Sequence, residues 1–413
     1  MDQCTSGRDT GATTEFERDV VTLLAESVRT AVKQERDDVG TESLLSALVS
    51  GDSAAGSAIA PGMRAAGTLS GSIGCCGTSV WISDDAGDGA AGSPDDEREI
   101  DACWREVLQE EARRLRRPGR REKEERGPLV LPPMSGALRT CLRKALEYAR
   151  DEGTLSVRVR HVARALVELP DTRAREAMVV QKLDVPAASA ALDALRAGDE
   201  APEAGSVLVL RKAGTFGKSG NPLTRKFTAW IFGGGAGFGS AVVGVVRTEA
   251  RRSAVRRGVP AAEPVDLLVG ILALDRALAV AGRRLPDELA EASQGAELLR
   301  RHGVRQDALA RVLLPVTGVA EGQPADVEGE PADVEGTSGF DRRLLHVTEF
   351  VASAKGSPTV GTTHLLAALL DGTGTDAEAV ARIEQVLAES GADVAGLRAE
   401  PELRVPRGAG QGA

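Results

Sequence analysis

The sequence predicts an all-α fold of four helical repeat units, and three observations carry that prediction. A turn followed by a capped, one-sidedly apolar helix recurs four times: clearly at Thr359–Leu370 and Val39–Val49, more weakly at Val157–Val167 and Ala262–Leu272. Upstream of each copy, fixed positions hold small or apolar residues. Counting back from Val39, Val157, Ala262 and Val360, eight positions earlier stand Ala31, Ala149, Ala254 and Ala352; twelve earlier, Ser27, Ala145, Ala250 and Thr348; sixteen earlier, Leu23, Cys141, Val246 and Leu344. Small residues one turn apart let a neighbouring helix approach closely. Finally, 42% of the 413 residues are hydrophobic but only 3% aromatic, so cores of Ala, Leu and Val are expected, which suits close-packed helices better than sandwiches.

Taken in order, residues 1–14 are Gly, Thr and Ser rich and are expected to be disordered. From Phe16, apolar residues recur at helical spacing until Asp37-Asp38, and Thr41 is placed to cap a helix starting at Glu42. Residues 15–199 form the expected first domain, opened by an insertion at about 67–133. After the motif, a further helical stretch is predicted in three copies, at Asp171–Val185, Asp287–Val304 and Asp376–Asp393. The first copy reads instead as a Gly/Ser-rich loop from Gly67 to Gly92. Ser93-Pro94-Asp95-Asp96 starts a helix, with a serine cap, proline in the first turn and acids against the dipole. Ile100, Trp104, Val107, Leu108 and Leu115 give it an apolar stripe, and Pro118-Gly119 ends it before a charged loop over 118–134. Residues 200–239 are a linker, 240–400 a second domain interrupted by an acidic connector at about 318–339, and 401–413 a frayed tail.

Phe16–Val49, with its helix, Asp37-Asp38 turn and Val39-Gly40-Thr41-Glu42-Ser43-Leu44-Leu45 run, resembles the Clp N-terminal (Clp repeat, Clp R) domain, and Phe340–Leu370 is a second close match. The resemblance implies two pseudo-twofold Clp N-like helical domains joined by flexible linkers. It also implies a stand-alone protein, because the nucleotide-binding modules of the Clp ATPases are not visible. The family's domain recruits substrates and adaptors, and in some members binds phosphorylated arginine through the acid after Gly-Thr. A carboxylate suits that task because it accepts paired hydrogen bonds from a guanidinium. Carried over by position, that residue is Glu42, with Arg160, Val265 and Thr363 at the other three copies; Thr41, Glu42, Thr362, Thr363 and His364 are the candidate ligand-binding residues. The plain reading of Glu42 is a first-turn acid complementing the helix dipole.

No catalytic set emerges from the sequence. Val207–Leu210 reads as a strand leading into Gly214-Thr215-Phe216-Gly217-Lys218-Ser219, but Lys212 stands where a phosphate loop needs glycine and Pro222 interrupts the following helix. Leu267–Asp275 imitates a strand ending in an acid, yet the repeat register assigns it to a helix. Gly51-Asp52-Ser53-Ala54-Ala55-Gly56 is one residue too long for a nucleophile elbow. Phe227–Val246 is uncharged but glycine-rich, and reads as a loop entering the third repeat rather than a membrane span. The four histidines are scattered: His161 and His364 share a motif position suited to bonding a helix end, and His346 with Glu349 is too few ligands for a metal. Five cysteines without framework spacing, and a polar start lacking a secretion signal, point to free thiols and the cytoplasm. The net charge of −10 argues against nucleic acid as a partner. Two basic patches, Arg113–Arg126 and Arg211, Lys212, Lys218, Arg225 and Lys226, read as solvated segments, with docking to an acidic partner as the sharper reading.

The sequence therefore predicts a non-enzymatic protein- or peptide-binding module connected with Clp proteolysis, as adaptor, decoy or regulator. Its expected partners are Clp ATPase or protease subunits or their substrates, with no cofactor, no metal, no nucleic acid and no membrane. The alternative is a protein that sequesters a small molecule or a phosphoarginine-like peptide; a nucleotide-binding ATPase is the remaining reading.

Overall fold

The computed structural model describes residues 15–77, 80–83, 85–87, 92–116, 131–154, 156–195, 205–216, 240–314, 339–372 and 374–405. The expected disordered start, the glycine-lysine part of the phosphate-loop imitation, most of the uncharged 227–246 stretch and the acidic connector lie outside these residues. The described chain is mostly helical. It divides into two compact units, one within residues 14–202 and one holding the described residues from 205 onward.

The first unit contains β1 (Glu15–Phe16), α1 (Arg18–Lys33), α2 (Thr41–Ser50), α3 (Ala54–Ile59), α4 (Met63–Cys75), α5 (Pro94–Arg116), α6 (Gly136–Asp151), β2 (Ser156–Val157), α7 (Val159–Glu168), α8 (Arg173–Val180) and α9 (Val185–Ala194). Its core is Phe16, Leu24, Leu44, Leu45, Leu48, Leu69, Ile73, Ile100, Leu138, Leu142, Leu146 and Leu166 with the alanines between them. Two short pairings tie it together. β1 runs parallel to β2, with Phe16 opposite Val157, and Val39 forms a parallel bridge with Met134. Each of these four residues lies two positions before a helix. The chain ahead of α1 thus meets the chain ahead of α7, and the chain ahead of α6 meets the chain ahead of α2.

The second unit contains α10 (Gly205–Lys212), α11 (Ala241–Arg257), α12 (Pro264–Val280), α13 (Asp287–Glu291), α14 (Gly295–Arg301), α15 (Gln306–Leu313), α16 (Gly339–Ala354), α17 (Thr362–Asp371), α18 (Ala377–Glu389) and α19 (Val394–Ala399). Leu268, Ile271, Leu299, Leu309, Val351, Leu366, Ile383 and Leu387 are among the residues of its core.

The small-residue columns lie where a neighbour presses closest. All eight residues of the first two columns are buried, as are Cys141, Val246 and Leu344 of the third, while Leu23 is half-buried. In the second unit, a Cβ added to Gly270 of α12 would stand 2.5 Å from the Val246 carbonyl oxygen of α11 and 3.2 Å from the Ala250 backbone nitrogen. That proximity is what the small column permits.

Four expectations are corrected. The Gly/Ser-rich stretch after the first motif is helical as far as Cys75, because Leu69 and Ile73, one turn apart, are drawn into the core and Ser70 meets the Ser46 and Ser50 hydroxyls of α2 at 3.0 and 3.1 Å. Val207–Leu210 is part of α10 and not a strand; Val207 and Leu210 are buried from one helical face. The stretch Asp287–Val304 is two helices, broken between Glu291 and Gly295. Finally, Leu403 is buried against the second core within a 3-10 turn, so fraying does not start at Pro401. Leu267–Asp275 lies within α12, as the repeat register assigns it.

Gly67 and Gly71 of α4 are exposed and have no atom within 4 Å of an added Cβ. Gly67→Ala and Gly71→Ala should each raise stability by about 0.5–1 kcal/mol in urea unfolding. Gly270→Ala, with the same gain in helix propensity, should instead lower it by about 1–3 kcal/mol, because the backbone of α11 must move aside.

Candidate functional site

The candidate residues gather at the amino ends of the motif helices, where the first backbone N–H groups have no acceptor in their own helix. Three of the four motif helices share one local device. The third helical residue turns back to accept the N–H of the residue before the helix: His161 Nδ1 from Arg158 at 3.0 Å, Asp266 Oδ2 from Glu263 at 2.8 Å, and His364 Nδ1 from Gly361 at 3.2 Å. Because a backbone N–H can only donate, His161 carries its proton on Nε2, which points to Glu152 Oε2 at 3.1 Å. Burial holds both imidazoles neutral and brings each pKa down to about 4, with Arg160 adding to the effect at His161 and Lys355 at His364.

Thr41 is the first residue of α2 and Gly40 the cap position, in place of the expected threonine cap. The acceptor comes instead from Asp85, far along the chain. Its carboxylate accepts the Thr41 N–H at 2.7 Å, the Thr41 hydroxyl at 2.9 Å, the Arg173 N–H at 2.9 Å and the Ser135 hydroxyl at 3.2 Å. Its backbone carbonyl accepts the Ala137 N–H at 2.9 Å. Thr41 Oγ1 in turn accepts the Ala174 N–H at 3.0 Å. One buried aspartate thus serves the starts of α2, α6 and α8.

Glu42 is fully buried beside this aspartate. Its Oε1 lies 3.4 Å from Arg36 Nη1 and 3.7 Å from Arg173 Nη1, while Oε2 has no hydrogen-bond partner. Burial raises the Glu42 pKa, against the pull of Arg173 and Arg36. Arg173 also grips Asp38 with both terminal nitrogens, at 2.5 and 3.1 Å. Arg36 donates to the Ile73 and Cys76 carbonyls at 2.9 and 3.1 Å, and its guanidinium carbon lies 5.8 Å from the Trp81 ring centroid. An added Cβ on Gly40 would stand 2.1 Å from Glu42 Oε2 and 2.7 Å from Arg173 Nη1, which is why this position has no side chain.

At the fourth motif, Gly361 is again the cap position, and the two threonines serve another helix. Thr362 Oγ1 accepts the Gly295 N–H at 3.1 Å and Thr363 Oγ1 the Gln294 N–H at 2.9 Å, while the Thr363 N–H donates to the Ala292 carbonyl at 3.1 Å. These bonds hold the start of α14 and account for the break after α13. Thr41 and Glu42 belong to one unit and Thr362, Thr363 and His364 to the other; all five are 0–6% exposed. Sequence reasoning missed Asp85, Arg36 and Arg173. The only signal for Asp85 was an acid within a Gly/Ser-rich stretch.

Elsewhere, Ser53 caps α3, accepting the Gly56 N–H at 3.0 Å. Cys75 is exposed, Cys76 half-buried, and both are free thiols. Among the described residues, no group of three or more His, Cys, Asp and Glu is placed to hold a metal ion, and no helix is long and apolar enough to cross a membrane. No family model matches the chain, and neither a curated protein nor a solved structure matches it.

Two measurements check these roles. Imidazoles kept neutral in the folded chain bind a proton only on unfolding. Their stabilising contribution is therefore complete above the ordinary value near 6.5 and is lost as pH falls from there toward 4, by up to about 2 kcal/mol per histidine at pH 5. His364→Asn, close in length to the Asp266 that makes the same bond, should flatten the fall in stability between pH 7 and pH 5. Arg36→Met should cost about 3 kcal/mol in urea unfolding, because Glu42 loses its nearer cation while staying buried.

Proposed function

We propose that the chain is a non-enzymatic protein- or peptide-binding module connected with Clp proteolysis, and that each unit is a Clp N-like domain of two repeats about a pseudo-twofold axis. The observation that carries this reading is the reciprocity in the first unit: Phe16 with Val157, and Met134 with Val39, join equivalent positions of two repeats in both directions. Such exchange is what a twofold relation requires. The packing crosses in the same sense. In the first unit α2 packs on α8 and α7 on α3; in the second, α17 packs on α14 and α12 on α18. Each motif helix therefore rests on a helix that follows the other motif.

On this reading the protein acts as an adaptor, decoy or regulator, and its partners are Clp ATPase or protease subunits or the substrates they take. The five candidate residues lie beneath the surface, where they hold the motif helices in place; α2 is buried from Thr41 to Val49 and α17 from Thr362 to Leu370, so a client meets the helices packed around them. Sequestration of a phosphoarginine-like ligand is the alternative, and it requires Glu42 to exchange Arg36 and Arg173 for the ligand's guanidinium. Capture from native cytosol with the full chain as bait tests the first reading: Clp subunits or substrates should be recovered, and recovery of neither counts against it. Calorimetric titration with phosphoarginine, using Glu42→Ala as control, tests the second; saturable heat that the control abolishes would favour sequestration.

A further inference from the structure

Cys75 and Cys76 stand side by side at the end of α4, and the fold leaves both thiols open to reaction. Free cysteine is ordinarily a buried residue, as Cys103 and Cys141 are here. Cys75 is instead exposed and Cys76 half-buried. Exposed glycines flank the pair. A Cβ added to Gly74 would meet only Gln34 Nε2, at 3.5 Å, and one added to Gly77 no atom within 4 Å. The surface on either side of the pair is therefore uncrowded.

Their backbone, by contrast, is held firmly. Buried Arg36 donates from Nη2 to the carbonyls of Ile73 at 2.9 Å and Cys76 at 3.1 Å. The Cys76 N–H donates to the Ser72 carbonyl at 3.2 Å. This anchorage decides which product the adjacent thiols can form. A disulfide wants Cα atoms about 4.4–6.8 Å apart, whereas neighbours across a trans peptide stand about 3.8 Å apart. Direct closure would have to bend the backbone that Arg36 holds, while an atom set between the sulfurs spans a wider gap. Zinc is not that atom. It takes four ligands, and among the described residues no group of three or more His, Cys, Asp and Glu is placed to hold a metal. A soft centre that takes two sulfurs and keeps a third group of its own fits the pair.

We propose that Cys75 and Cys76 form a dithiol site for trivalent arsenic, both sulfurs binding one arsenic atom. With arsenous acid, two S–H and two As–OH bonds give way to two As–S bonds and two waters. The third hydroxyl stays on arsenic, and no electron changes hands. With phenylarsine oxide the two thiol protons leave with the oxide oxygen as one water, and the phenyl group remains. The second As–S bond closes within the chain, so the pair holds the arsenic far more tightly than either thiol alone. This inference rests on the placement of the two cysteines and stands independently of any role in proteolysis.

The test uses the full chain, kept reduced by a phosphine so that no competing thiol is present. Phenylarsine oxide is added in increments, and mass spectrometry reads the intact mass and the cysteines still open to alkylation. The parent chain should take up one phenylarsenic group that protects Cys75 and Cys76 together, and ethanedithiol should remove it. Cys75→Ser and Cys76→Ser should each weaken uptake by about 100-fold or more, with helix content unchanged. Cys4→Ser should bind as the parent does. Zn2+, titrated in parallel, should leave both cysteines open. No uptake by the parent, parent-like uptake by either single variant, protection of another cysteine in place of the pair, or equal protection by Zn2+ overturns the proposal.

Discussion

Buried helix amino ends impose the constraint on which both units depend. Their leading N–H groups cannot bond within the helix, and an unpaired buried N–H costs about as much as a lost hydrogen bond. The chain meets this demand partly at short range, through His161, Asp266 and His364. It also meets it at long range, and there the requirement becomes a source of tertiary order. Thr362 and Thr363 fix where α14 must begin, and Asp85 fixes α2, α6 and α8 against one another. With few aromatic side chains to lock the cores by shape, polar junctions of this kind carry much of the specificity of packing.

Close approach is the second half of the same design. Gly40 gives space to Glu42 and Arg173, and a Cβ on Gly361 would stand 2.1 Å from the Ala292 carbonyl oxygen. Neither glycine has a positive φ, so the demand at both positions is for volume and not for backbone freedom. The Ala and Ser positions of the preceding helices serve the same end, letting α11 and α12 meet backbone to backbone.

What the sequence disclosed follows from the range over which each interaction acts. Helical periodicity is local, so α1, α5, the four motif helices and the buried small columns could be read directly. The start of α5 at Pro94 agrees with its capping signals, and Asp95 donates its N–H to Ser93 Oγ at 3.3 Å. The helix of α4 was hidden because glycine and serine lower local propensity, while the burial of Leu69 and Ile73 that overrides it depends on distant partners. The expected Thr41 cap fails for a related reason. Thr41 does sit at a helix start, but its hydroxyl donates to Asp85 and accepts the Ala174 N–H, both far along the chain. At the candidate site, Glu42 could be named from its motif, but Arg36, Arg173 and Asp38 around it come together only once α8 is in place.

The parallel pairing of β1 with β2 bears on how the first unit is made. Glu15 and Phe16 find their partners only at Ser156 and Val157, and Val39 must wait for Met134. On a ribosome, the opening helices emerge long before either strand partner exists, and they remain without these two ties throughout synthesis of α3, α4 and α5. Closing such long loops is entropically slow, so the unit assembles late and as a whole. A nascent chain halted before Val157 would hold β1 without its parallel partner and the first motif helix without α8, the helix that follows the second motif.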